Sequence, residues 1–131
     1  MKKLVICIFL GLLVGMAPVM AQMESSSPKL IALKFHADWC GGCKAMGPVF
    51  TDLQNHFDGT PVLFVVLDFT NKTSKHHSKM MAAGLGLKEV MMENKGTGFI
   101  LLVDANTKKV VKKLSSSDSM KTMAMAIKEK I

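Results

Sequence analysis

Apolar positions along the chain gather in short runs separated by polar, glycine-bearing segments. Lys29 to Ala37 has a mainly apolar body (Leu30, Ile31, Ala32, Leu33, Phe35) and predicts a strand. Gly41 to Phe57 suits a helix, with Pro48 expected to kink or interrupt it. Pro61 to Phe69 is almost continuously apolar and rich in β-branched residues, which predicts a strand buried on both faces. Thr73 to Ala83 predicts a second helix, closed by Gly84 or Gly86. The stretch from Lys88 to Gly96 follows as a polar connection. Phe99 to Val103 and Lys108 to Leu114 predict two further strands, joined as a hairpin by Asp104-Ala105-Asn106-Thr107. Ser115 to Asp118 offers helix caps for a last helix whose Met120, Met123 and Ile127 form an apolar stripe. The order is strand, helix, strand, helix, strand, strand, helix. It predicts an α/β fold, a three-layer sandwich with a central mixed β-sheet flanked by helices.

The first residues follow a different pattern. Lys2 and Lys3 precede an apolar run from Leu4 to Val14, and Val19-Met20-Ala21 places small residues where a signal peptidase reads them. Residues 1–21 are therefore expected to be a cleaved signal peptide. The competing reading is an uncleaved N-terminal anchor, since Leu4 to Ala21 approaches the length of a membrane span. Either way residues 22–131 are expected outside the cytoplasm: periplasmic, secreted, or tethered on the outer side of the inner membrane. Residues 22–28 then form a flexible leader and residues 29–131 a single domain, as a chain of 131 residues allows.

Charge narrows the partners. The formal net charge is +7, and every basic residue is Lys. Without Arg there is no bidentate fork for phosphates or base edges, and the absence of Tyr leaves few stacking platforms. Nucleic-acid binding is not expected. An acidic partner or surface is compatible with this balance.

Cys7 would leave with the leader, so the domain keeps only Cys40 and Cys43. Two intervening residues are too few to staple distant parts of a fold. No second Cys pair completes a zinc site, so no metal is expected. The pair sits in Phe35-His36-Ala37-Asp38-Trp39-Cys40-Gly41-Gly42-Cys43-Lys44, directly after a predicted strand. A Cys at a helix start meets unpaired N–H groups and the positive end of the helix dipole, both of which favour thiolate. Cys40 is thus the expected attacking thiol. Cys43, one turn later, is expected to resolve the mixed disulfide. Gly41 and Gly42 would let a substrate backbone come close.

This segment resembles the active site of the thioredoxin family, Ala-Asp/Glu-Trp-Cys-Gly-Pro-Cys-Lys, and the resemblance extends over nearly the whole domain. Pro48 matches the proline of that family's active-site helix, Val62 to Asp68 looks like its central strand, and Leu85-Gly86-Leu87 resembles its Tyr-Gly-Ile segment. The resemblance implies a thioredoxin fold with Trp39 over one edge of the redox site, although burial alone would also account for a Trp there. It implies protein thiols and disulfides as substrates, no cofactor beyond the Cys40–Cys43 pair, and a monomer.

The departures are specific. Gly42 stands where the family has Pro. Lys34 stands where thioredoxins commonly carry a buried Asp, which makes it a candidate proton relay. The alternative is that its stem packs while its ammonium reaches water. Thr97-Gly98 aligns with the Thr/Ile–cis-Pro pair opposite the cysteines, and a trans bond is expected before Gly98. With Gly41 and Gly42, these two residues are the expected substrate-binding set. The Lys88–Gly96 connection looks longer than the family's and would form a lip beside the site. His36 replaces an aromatic residue and either modulates the thiols or simply packs.

The expected function is a thiol–disulfide oxidoreductase outside the cytoplasm, acting as a reductant and fed by a membrane electron-transfer partner. The alternative is a copper-binding or metal-delivery module. His76, His77 and the many Met residues keep it open, although helical Met usually fills core gaps.

Overall fold

The computed structural model of the protein describes residues 27–131. The expected signal peptide or anchor, and most of the leader, lie outside the described residues.

The described residues form four strands and four helices in the order β1 (Leu30–His36), α1 (Gly41–His56), β2 (Val62–Asp68), α2 (Lys72–Gly84), α3 (Lys88–Glu93), β3 (Phe99–Asp104), β4 (Val110–Ser115) and α4 (Met120–Lys128). The sheet order is β2-β1-β3-β4. β1 runs parallel to β2 and antiparallel to β3, and β3 pairs antiparallel with β4, so the sheet is mixed.

Side chains alternate across a strand, and that alternation builds two cores. Ile31, Leu33, Phe35 and Leu101 pack with Ala82, Leu87, Val90 and Met91 on the face covered by α2 and α3. Leu30, Ala32, Ile100 and Leu102 pack with Met46, Phe50, Leu53, Met123 and Ile127 under α1 and α4. In α1 the buried positions are Cys43, Met46, Phe50 and Leu53, the three- and four-residue spacing of one helix face. The outcome is the expected three-layer sandwich.

Four expectations need correcting. β2 is an edge strand, with only Val65 and Leu67 buried and Val66 38% exposed; the central positions belong to β1 and β3. An apolar run reads alike in either place, because the sheet order is set by which strands pair. The polar connection after α2 contains α3, a helix of six residues that buries Val90 and Met91. One and a half turns are too short to show a period. α4 is capped by Ser119, whose side chain accepts from the Thr122 N–H. The Ser115–Asp118 segment instead closes a turn, with the Ser115 N–H donating to Asp118 Oδ2 at 2.7 Å. Finally, of the two effects expected of Pro48, a kink or an interruption, the interruption does not occur: α1 continues through it.

The hairpin turn is held by the Asp104 carboxylate. It accepts from the Thr107 N–H at 2.7 Å, the Asn106 N–H at 3.0 Å and the Thr107 hydroxyl at 2.9 Å. Those donors hold the Asp104 carboxyl below its ordinary range.

Candidate active site

The C-terminal end of β1 delivers the cysteines. After His36 the chain turns through Ala37 to Trp39, and the Cys40 N–H donates to the Ala37 carbonyl at 3.1 Å. Cys40 is the N-cap of α1, in extended backbone, and its Sγ accepts from the Cys43 N–H at 3.2 Å. Sulfur here takes the position a Ser or Asp oxygen usually fills. Both cysteines are free thiols; Cys40 is partly exposed and Cys43 is fully buried.

That asymmetry separates their acidities. Burial works against ionising Cys40. The bond from the Cys43 N–H, with the Cys43 thiol, the Thr97 hydroxyl and the Gly42 N–H nearby, outweighs it, and the Cys40 thiol is held below its ordinary value. Cys43 is pushed up, first by burial and then by the neighbouring Cys40 sulfur. Its Sγ also lies 3.6 Å from the Phe35 carbonyl oxygen.

Two loops close on the pair. The peptide before Gly98 is trans, as is every other described peptide bond. The Gly98 N–H donates to the Phe35 carbonyl at 2.9 Å, and Gly98 holds φ +86°. A Cβ there would stand 3.3 Å from Cys40 Sγ. A Cβ on Gly42 would stand 3.2 Å from the Ser116 hydroxyl oxygen and 3.9 Å from Gly98 Cα, whereas one on Gly41 would meet nothing within 4 Å. Gly41 is therefore open to an approaching chain, while Gly42 is wedged between Ser116 and Gly98.

Ser116 did not emerge from the sequence as a site residue. Counting outward along the hairpin would have found it: the register pairs Phe99 with Ser115, so the residue after β4 lies beside Thr97-Gly98.

Lys34 faces the core on the α1 side of the sheet and is 6% exposed. Its Nζ lies 5.2 Å from the centre of the Phe50 ring. Burial lowers its affinity for a proton, while the two thiols, when ionised, pull the other way. The candidate relay is thus enclosed within electrostatic reach of both sulfurs.

Trp39 is 68% exposed, so burial does not account for it. Its indole N–H donates to the Thr70 carbonyl at 3.3 Å, and the Asp38 N–H donates to the Thr70 hydroxyl at 3.0 Å. Thr70 in turn donates to Asp68, which it holds below the ordinary carboxylate range. His36 is half-buried. Its Nε2 lies 3.1 Å from Asp38 Oδ1, and its buried Nδ1 has no partner.

His76 and His77, ring centres 6.5 Å apart, are exposed on α2. Met80 and Met81 are exposed rather than filling the core. Among the described residues no three His, Cys, Asp or Glu side chains gather around one point.

A dithiol at a helix start, one thiol accessible and one buried, on a four-stranded mixed sheet, defines the class: a thiol–disulfide exchange fold. The comparisons agree. The family model Thioredoxin matches residues 19–116. Thioredoxin-like protein 1 of Schizosaccharomyces pombe is 32% identical over 110 residues, covering 78% of this chain and 36% of that protein. The thioredoxin of Mycoplasmoides gallisepticum is 30% identical over 76 residues, covering 57% of this chain and 76% of the relative. The chain therefore spans little more than a third of the length of the S. pombe relative. In fold it is similar to the reduced thioredoxin pre-protein of Schistosoma mansoni, at a TM-score of 0.52 and 20% identity, covering 81% of this chain and 83% of that one. The chain belongs to the thioredoxin family, whose members are generally disulfide oxidoreductases acting on protein thiols and disulfides.

Proposed function

We propose that this protein reduces disulfides of other proteins outside the cytoplasm, with Cys40 as nucleophile and Cys43 as resolving thiol. The observation that carries this is the opposed acidity of the pair: an accessible thiol held low beside a buried one held high. The Cys40 thiolate attacks one sulfur of a substrate disulfide. A Cys40–substrate bond forms, the substrate S–S bond breaks, and the departing sulfur leaves as thiolate. Cys43 then gives up its proton and attacks Cys40 Sγ, forming the Cys40–Cys43 disulfide and expelling the second substrate sulfur. The substrate gains two electrons and the protein loses two.

In this scheme the neutral amine of Lys34, the form that burial favours, takes the Cys43 proton as Cys43 attacks and passes it to the expelled substrate sulfur. Gly41, Thr97 and Gly98 border the space where substrate backbone would lie, and Trp39 its edge. Because the spent disulfide must be reduced again, a membrane partner that passes electrons completes the cycle. The apolar stretch after Lys2 and Lys3 supports that location.

The deciding experiment is the reduction potential of the Cys40–Cys43 pair, measured by thiol trapping in glutathione or dithiothreitol buffers. A value near about −270 mV, the range of thioredoxin, is expected of a reductant. A value near about −120 mV would make the protein an oxidant and overturn the direction proposed.

A further inference from the structure

A groove of about 670 Å³ opens beside the dithiol, within the size range of ligand sites. Its apolar surface comes from Trp39, Phe69, Met91 and Met92, and Thr97 joins it to the loop that touches Cys40. Trp39 and Met92 are more than half exposed, an arrangement that leaves apolar area uncovered. Lys75 and Lys79 of α2, Lys88 of α3 and Lys95 rim it, all four exposed. No acidic side chain lines it; Glu89 and Glu93 of α3 are not among its lining residues. None of the four lysines has a salt-bridge partner among the described residues.

Four unneutralised cations around an apolar floor select for negative charge combined with apolar side chains. A small anion would leave the exposed Trp39 and Met92 uncovered, and an uncharged apolar chain would leave the lysines unmatched. We propose that the groove binds an acidic peptide segment bearing apolar residues, contributed by the protein whose disulfide Cys40 attacks. The fate of that disulfide rests on the redox function proposed above, but binding to the groove does not.

The test separates the two. The full chain is titrated into a labelled, cysteine-free ten-residue peptide carrying four Glu and two Leu, and into its Glu→Gln counterpart, with anisotropy as the readout. At low salt the acidic peptide is expected to bind at least about tenfold more tightly, from four pairs of exposed charges. The gap should close near 0.3 M salt as the screening length shortens to about 6 Å. Replacing Lys75, Lys79, Lys88 and Lys95 together by Gln should abolish the preference. The same variant should reduce hydroxyethyl disulfide at the parent rate. Should that variant not fold, as circular dichroism would show, Lys79→Glu and Lys88→Glu alone are each expected to weaken acidic-peptide binding about twofold or more. Equal binding of the two peptides, or a preference that survives loss of the lysines, would overturn the proposal. Failure of the parent protein to reduce hydroxyethyl disulfide would instead overturn the redox function and leave the binding result to decide the groove.

Discussion

Replacing Gly98 by Ala tests whether this residue is needed for the backbone it adopts, for the room it leaves the nucleophile, or for both. At φ +86° an Ala pays the left-handed penalty, about 1–2 kcal/mol. Its Cβ would also stand 3.3 Å from Cys40 Sγ, tighter than ordinary contact, so the sulfur must shift by a few tenths of an ångström. That shift weakens the bond it accepts from the Cys43 N–H at 3.2 Å, a further contribution of about 1 kcal/mol. Together the loss is about 2–3 kcal/mol, or roughly 30- to 150-fold in the folding equilibrium. Gly96→Ala is the internal control. Gly96 sits at φ +96°, but a Cβ there would find its nearest neighbour, a Phe99 ring carbon, at 4.0 Å. It should lose only the backbone share. The assay is urea unfolding of the reduced protein, paired with the pH dependence of Cys40 alkylation. Gly98→Ala should cost about 1 kcal/mol more than Gly96→Ala and raise the pH at which Cys40 becomes reactive. Equal losses, with Cys40 reactivity unmoved, would show that the close approach of Gly98 to the thiol has no energetic consequence.

Lys34→Met keeps the buried stem and removes the charge. Because burial lowers the folded-state proton affinity of Lys34, charging it costs stability, and that cost, full at low pH, fades as pH rises through the lowered value. The variant should therefore unfold at equal or higher urea concentration while its second exchange step, resolution by Cys43, slows; loss of stability with an unchanged rate would refute the relay. Ser78, buried in α2, donates to the Asp68 carbonyl at 2.9 Å and accepts from the Asp68 N–H at 2.7 Å. Ser78→Ala leaves both groups unpaired at the end of β2 and should cost about 1–3 kcal/mol by urea unfolding. In the reduced native protein at pH 7, iodoacetamide should modify Cys40 first and Cys43 only once urea unfolds the chain, as mass spectrometry of the adducts would show. The depressed pKa of Cys40 also adds stability that is complete above about pH 8.5 and is lost as pH falls through the folded value.

The redox pair and its strand-to-helix setting were legible in the sequence because each depends on neighbours a few residues away. An apolar run predicts a strand, four-residue spacing predicts a helix face, and a Cys at a helix start meets free N–H groups wherever the helix docks. On those local grounds β1, α1, α2 and the hairpin were placed within a residue or two. The thioredoxin motif added Trp39, Thr97 and Gly98 to the site. What depended on distant pairing was not legible. Val62 to Asp68 is as apolar as a central strand, yet the sheet places it at the edge. Ser116 reaches Gly42 only because the β3–β4 register carries it there. α3 exists because Val90 and Met91 have a core to enter, which six residues alone cannot announce. For Lys34 the sequence left open a relay or an ammonium reaching water; only α1, laid over its face of β1, encloses it beside Phe50. Local sequence determined which groups could ionise and where helices and strands begin; only the packing of α1, the 97–98 loop and the end of β4 around one point decided how accessible each thiol is, and burial is a property of the neighbours that fold brings together.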